Sequence, residues 1–478
     1  MKLMQIKLTD YLKKLSKDTL IYGSSYLILQ ILSFITFPIF TRIFLPSDYG
    51  IIELVITITS FLALFSTLAL ESGAQRIYFD YKPEDLKNKK IVISTALWFI
   101  ILWNILYIFL ILLFSKFIFN LFFNSKAIYK VLIIAVINIP FASLILFLRE
   151  IFRLENSAVK FTVFSILQGL INVILTLIFI FKFNMGITGI FLGNLIGSFL
   201  ILPFLFIFNS KNIVLIFNKE ELKKMLNYSL PLIVTGFASA IVALSDRFFL
   251  AKLISLHEVG IYSVATKITR VLSFIIAAFN IAWSPFILNI SSSDKEFEKQ
   301  IRAKIFNYYL LILGFLAVTI SLFAREIILI LATKNFIDAY KIVGVLSLSM
   351  VSFGASSYLS TGISLSKKTK YFAYYSILIA VISLTLNMLL IPKLGLIGAT
   401  FTSLISYSIF SLLYYWTSQK IYYSPYEPVK ILLISLITCI FVVISIFINF
   451  ESIILSLIVK TILFILIIFI FVLLKRYV

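Results

Sequence analysis

KFNMGITGIFLGNLIG, residues 182–197, returns in altered form as IPKLGLIGATFTSLIS at 391–406, with Gly186 aligned to Gly395 and Gly189 to Gly398. Two further stretches repeat at nearly the same spacing. NSAVKFTVFS (156–165) matches SKKTKYFAYY (366–375), pairing Lys160 with Lys370. TRIFLPSDYGIIEL (41–54) matches DRFFLAKLISLHEVGIYSV (246–264) once about five extra residues are allowed in the second copy. Each match is weak alone. Their common offset of 205 to 210 residues, in one order along the chain, is an internal repeat,.

The residues that fill the repeat are apolar. The chain is 61% hydrophobic and 13% charged, with a mean hydropathy of +1.07, far from the composition of soluble domains. Runs of about 20 apolar residues, enough to cross a bilayer, recur from end to end. They lack the alternation of barrel strands, and a spanning segment must satisfy its own backbone, so they read as helices. The expectation is an all-α polytopic membrane protein of about 14 transmembrane helices. Spans are expected near 19–41, 50–70, 91–114, 128–148, 161–182, 186–208 and 225–246. The remainder are expected near 257–281, 304–323, 340–362, 371–391, 395–417, 429–448 and 452–474.

Charge supports that count. Segments on the side of the N-terminus carry about 28 Lys and Arg against about 11 on the other side, the asymmetry of cytoplasmic and outer loops,. Both termini are therefore expected in the cytoplasm. Lys2, Lys7, Lys13, Lys14 and Lys17 precede the first span like the flank of a signal peptide, but the apolar run continues to Phe40 without a cleavage site and reads as a retained helix,. The net charge of +21 sits in short loops beside apolar runs, which points to anionic membrane lipids rather than nucleic acid,. The single cysteine, Cys439, excludes an intramolecular disulfide,.

Each repeat holds six spans. Because six is even, the copies share one orientation and are related by a pseudo-two-fold along the membrane normal. The expected organisation is a six-helix lobe at 1–210, a second at 211–420, and helices 13 and 14 appended at 421–478. Small residues at every fourth place in Gly189, Gly193 and Gly197, and in Gly398, Thr402 and Ser406, predict close helix packing within each lobe,.

Polar residues in the spans mark where function lies. The second span carries Glu53, Thr57, Ser60, Thr67 and Glu71 on one face,. The eighth carries Ser263, Lys267, Arg270 and Ser273 on a narrow stripe, and the repeat aligns Glu53 with Ser263, Thr57 with Lys267 and Ser60 with Arg270. Two equivalent helices with polar faces in one register suggest a shared wet space. Lys267 and Arg270 are expected to face it, with Glu53 and Glu71 as carboxylates lying opposite, since charges inside spans mark ligand or ion paths. Arg42 aligns with Arg247 at the outer ends of the first and seventh spans, where Asp246 precedes Arg247; an interfacial anchor and a ligand contact are equally good readings. Lys460 is expected to snorkel.

Enzyme signatures are missing. The sequence has no GxxxxGK[ST] loop for ATP and no Cys/His cluster for a metal,. The one histidine, His257, stands at a helix mouth. No loop is much longer than about 20 residues, which leaves no extramembrane domain,. Catalytic residues and cofactors are not expected.

FPIFTRIFLPSDYGIIELV (37–55), DRFFLAKLISLHEVGIYSVATKITRV (246–271), AWSPF (282–286) and LIPKLGLIGAT (390–400) resemble the polysaccharide (Wzx-type) flippases of the multidrug/oligosaccharidyl-lipid/polysaccharide exporter superfamily. The resemblance covers about residues 18–420. It implies a bacterial inner-membrane transporter that moves undecaprenyl-diphosphate-linked glycan repeat units outward by alternating access. A cationic cavity would receive the substrate: Lys267 and Arg270 first, Arg42 and Arg247 second. Coupling to an H+ or Na+ gradient would use Glu53, Glu71 or Asp246, and polysaccharide polymerase and glycosyltransferases would be partners. The alternatives are a lipid-linked peptidoglycan-precursor flippase or a multidrug antiporter of the same superfamily and, from a different class, a membrane-embedded polymerase or ligase.

Overall fold

The computed structural model describes residues 28–122, 126–293, 295–448 and 453–477. The basic segment from Lys2 to Lys17 lies outside them. Among the described residues the regular structure is helical, with no strand. The helices are α1 (Ile28–Ile43), α2 (Pro46–Ser66), α3 (Leu70–Tyr78), α4 (Leu86–Phe122), α5 (Lys126–Leu154) and α6 (Ala158–Phe181). Next come α7 (Gly186–Asn209), α8 (Lys219–Leu253), α9 (Leu256–Ser293), α10 (Lys295–Leu322), α11 (Ala324–Leu331) and α12 (Tyr340–Leu359). The chain ends with α13 (Thr361–Leu365), α14 (Lys370–Leu394), α15 (Leu396–Ile421), α16 (Pro428–Phe447) and α17 (Ile453–Tyr477). Thirteen helical stretches are long and apolar enough to cross a membrane, and α1, whose expected start is outside the described residues, is a shorter apolar helix before them. The protein is a multi-pass helical membrane protein.

Two spans depart from the sequence reading. The second is not one rod: Leu68 and Ala69 both take left-handed backbone angles, each with φ 52°, and divide α2 from α3. The ninth begins at Lys295, some nine residues before its apolar run, and so draws Glu298 and Arg302 into a helix.

The chain divides into two compact units. The first comprises Leu54–Phe237 with the chain up to Phe37, and the second comprises Pro38–Glu53 with Ala238–Val478. In the first unit α3, α4, α5 and α7 enclose a core around Leu70, Ile93, Leu97, Phe147, Phe152 and Leu205. The glycines of α7 act as the spacing predicted. A Cβ on Gly193 would lie 2.6 Å from the Thr176 backbone N of α6, and one on Gly197 would lie 2.1 Å from Asn172 Oδ1. In the second unit α9, α10, α12, α16 and α17 enclose Leu272, Leu313, Val318, Tyr358 and Val442. Stacked and tilted rings from Phe279, Trp283, Phe306, Tyr309 and Tyr358 fill one end. Helices α16 and α17 are part of this core: Thr438 of α16 sits against Gly314 of α10, and Ser445 meets Ser321 at 2.5 Å.

Candidate functional site

The second unit builds its polar centre where α2 and α9 begin. Asp48 Oδ2 accepts from the Leu45 N–H at 3.3 Å before α2, and Ser255 Oγ accepts from the Glu258 N–H at 3.2 Å before α9. Such caps fix where each helix starts. The two helix starts then cross in backbone contact. A Cβ on Gly50 would lie 1.8 Å from the Leu256 carbonyl oxygen, and one on Gly260 would lie 1.9 Å from that of Pro46. Position 50 aligns with 260 and 46 with 256, so the contact is reciprocal. Only glycine tolerates the approach at either position.

That crossing sets the side chains beyond it. Glu53 lies one turn along α2 from Gly50, and Lys267 two turns along α9 from Gly260. Lys267 Nζ stands 2.8 Å from Glu53 Oε1, donates to the Tyr49 hydroxyl, and lies 4.7 Å from the centre of the Tyr49 ring. Glu53 is buried, while the Lys267 side chain remains 22% exposed. Arg270, three residues on, is exposed and within electrostatic range of Glu53, Tyr49 and Tyr407. Ser263 is wholly buried, and its hydroxyl has no hydrogen-bond partner among the described residues.

Behind this pair lies a second one. Arg247 Nη1 is 3.1 Å from Asp246 Oδ1, and both side chains are buried. Arg247 Nη2 donates to Thr266 Oγ1 at 3.3 Å, and Asp246 Oδ2 accepts from the Tyr262 hydroxyl, itself 3.3 Å from Ser403 Oγ. Arg247 reaches Glu53 electrostatically but is locked among its neighbours. Arg42 is exposed and donates to the carbonyls of Pro38 at 3.1 Å and Ile330 at 3.0 Å, closing the last turn of α11. This is the bonding of an anchor.

The first unit holds the rest of the polar stripe. Thr57 is buried, and Ser60 Oγ donates to the Ile56 carbonyl at 2.7 Å. Glu71 sits in the first turn of α3, where Oε2 is buried without a hydrogen-bond partner among the described residues, within electrostatic range of Glu150. Glu71 lies eighteen residues beyond Glu53, past the break between α2 and α3. The structure therefore brings Glu53 to Lys267 and leaves Glu71 in other company.

Lys460 corrects the sequence reading. Its side chain does not snorkel: it is 1% exposed, and Nζ bonds Glu326 at 2.9 and 2.8 Å, tying α17 to α11. The Glu326 carboxylate draws it inward. Sequence reasoning also passed over Arg302 and Glu298, fully buried on α10 and 3.4 Å apart. Arg302 donates to the Tyr422 carbonyl at 3.0 Å and to Ser424 Oγ, and the Tyr422 hydroxyl donates to Glu298 at 2.8 Å. Burial, then the bond to Glu298, pushes the Tyr422 phenol up to about 12, so it stays a donor near neutrality. The i, i+4 spacing of this pair was legible as a helix surface pair, but no sequence signal placed it inside. Among the described residues no three His, Cys, Asp or Glu side chains gather as a metal ion would need.

Known proteins resemble this chain in sequence and in fold. A family model described as "Polysaccharide biosynthesis protein" matches residues 15–291. The uncharacterized membrane protein MJ1068 of Methanocaldococcus jannaschii is 25% identical over 412 residues, 78% of each chain. The capsular polysaccharide biosynthesis protein CapF of Staphylococcus aureus is 25% identical over 281 residues, 56% of this chain and 69% of CapF. Among solved structures, the lipid II flippase MurJ in an inward closed conformation superposes with a TM-score of 0.76 at 18% identity, covering 95% of this chain and 98% of MurJ. An inward-facing multidrug resistance MATE transporter of the MOP superfamily gives 0.69 at 14% identity, covering 84% and 97%. The fold is thus shared with MurJ and with this MATE transporter, and with the family model covering more than half its length the chain belongs to the polysaccharide biosynthesis protein family.

Proposed function

We propose that this protein is a flippase that carries an undecaprenyl-diphosphate-linked oligosaccharide across the bacterial cytoplasmic membrane, with both termini in the cytoplasm, to supply a surface polysaccharide such as O-antigen or capsule. One observation carries the reading: a membrane-crossing helix presents a half-held lysine and a free-standing arginine three residues apart. Lys267 is positioned by Glu53 and Tyr49 yet its side chain stays partly exposed, and Arg270 is exposed beside it. A lipid diphosphate leaving water requires charge-assisted donors, and the arginine fork matches its oxygens. Glu53 competes with that diphosphate for Lys267, so substrate arrival and departure exchange one anion for another. Proton or sodium coupling through Glu53, Asp246 or Glu71 fits the same exchange.

The isoprenoid chain of such a substrate would suit a further feature of the second unit. An apolar groove of about 530 Å³ runs between α12, α15 and α16, lined by residues such as Leu348, Val351, Leu404, Leu412, Ile431 and Leu432. The CapF relative favours a polysaccharide precursor as cargo. The fold shared with MurJ supports a lipid-linked peptidoglycan precursor as the second reading. An ion-coupled multidrug antiporter suits the fold but not the exposed cation, which repels cationic drugs. A polymerase or ligase finds no outer loop to hold its chemistry.

The test is Arg270→Ala in cells that depend on the protein for surface polysaccharide. Export should fall at least tenfold with the protein still inserted, and Arg270→Lys should retain part of it; wild-type polysaccharide in the alanine variant rules the assignment out.

A further inference from the structure

We infer that a small cavity inside the first unit is a subsite for one uncharged pyranose ring of the cargo, and so a determinant of which glycan is accepted. This rests on the flippase reading above. The cavity lies between α2, α5 and α7, near the middle of three membrane-crossing stretches, and has a volume of about 230 Å³. That is below the about 300–1,000 Å³ of pockets for drug-sized ligands. It suits a single sugar ring, not a whole repeat unit.

Its chemistry is unusual for its depth. Thr59, Ser60, Asn138 and Asn194 line it, with the Phe191 ring and small residues such as Ala135 completing the wall, and no lining residue is charged. Thr59 and Ser60 spend their hydroxyl protons on their own helix, donating to the Val55 carbonyl at 2.9 Å and the Ile56 carbonyl at 2.7 Å. Their oxygens remain as acceptors. Asn194 gives one amide proton to the Ile190 carbonyl at 3.0 Å. Asn138 Oδ1 is buried with no hydrogen-bond partner among the described residues. Pro140, two residues further along α5, has no N–H to return to the Val136 carbonyl, which opens the helix beside this asparagine,.

A buried amide oxygen such as Asn138 Oδ1 in a spanning segment is unfavourable unless something satisfies it,. Amide and hydroxyl groups around an aromatic ring match a pyranose, whose hydroxyls both donate and accept and whose C–H face packs on a ring. The absence of charge separates this site from the one for the diphosphate, which needs cations. Anionic head and neutral sugars would then be read by different residues of different units.

Binding to purified protein in nanodiscs tests this, with two probes: undecaprenyl diphosphate, and the same lipid bearing one N-acetylglucosamine or one glucose. The wild type should hold at least one of the sugar-bearing lipids about tenfold more tightly than the bare lipid. Asn138→Leu and Asn194→Leu should lose that preference while keeping their affinity for undecaprenyl diphosphate, which also reports that they fold. Ala135→Phe, which fills the space without removing a polar group, should do the same. An undiminished sugar preference in all three variants overturns the subsite, leaving the cavity to water, with the flippase reading intact. A wild type that binds neither lipid overturns both.

Discussion

Lys267 shows how a cation is kept inside a span without being neutralised by it. Glu53 and Tyr49 hold it from one side, and part of the side chain remains open to a ligand. Lys460 shows the opposite solution, a bidentate pair with Glu326 with almost no exposure. On the proposed function, the difference fits a working role for Lys267 and a structural one for Lys460. Removing one partner of a buried pair costs about 3–5 kcal/mol, whereas replacing both with apolar side chains of similar volume is often neutral or stabilising. Lys460→Ala should therefore lower the thermal stability of the purified protein sharply, while Lys460→Met with Glu326→Leu should restore it and leave export unchanged. Loss of export in a stable double variant would show that Lys460 does more than hold α17.

The break between α2 and α3 belongs to the scale of the element. Helix α4 supplies what the broken helix lacks: Trp103 Nε1 donates to the Phe65 carbonyl at 2.8 Å, Asn104 Nδ2 to that of Ser66 at 3.0 Å, and the Tyr107 hydroxyl to that of Leu62. The carbonyls of Phe65 and Ser66 are among the last four of α2, which a helix end leaves open,, and in a membrane nothing but protein can meet them. Leu68 and Ala69 are not glycine, and a left-handed residue with a Cβ costs about 1–2 kcal/mol. Ala69→Gly should raise the melting temperature of the purified protein, and Ala69→Val should lower it. In a continuous helix the glycine variant would have the opposite sign, so the measurement decides between a break and a rod. The sequence contained the three donors of α4 but nothing that tied them to Leu62, Phe65 and Ser66, because the contact joins segments some 40 residues apart.

At the scale of the whole molecule, topology is the property most open to test. Loop charge predicts Met185 on the outer face and Lys368, five spans later, in the cytoplasm,. With Cys439 replaced by alanine, Met185→Cys should react with an impermeant maleimide in intact cells. Lys368→Cys, at an exposed position, should react only after permeabilisation. Equal labelling of both would break the even count on which the parallel repeats depend. The same scale explains which site residues were legible. The stripe on α9 could be read because Lys267 and Arg270 interrupt an apolar run. Asn138 and Asn194 could not, because single amides in long apolar helices acquire meaning only when folding sets them around one space.

The sequence by itself determined that this is a helical membrane protein of many crossings, with the repeat as an expectation. Each of these follows from local hydropathy, loop charge or similarity at a fixed offset, none of which needs a partner elsewhere in the chain. The tertiary structure alone decided the pairings: Glu53 with Lys267, Asp246 with Arg247, and Glu326 with Lys460. It also made the glycines at 50 and 260 reciprocal contacts at one crossing. The physical reason is reach. A charged group in an apolar medium must find its counter-charge within a few ångströms, and which group arrives there is set by how helices cross, not by distance along the chain.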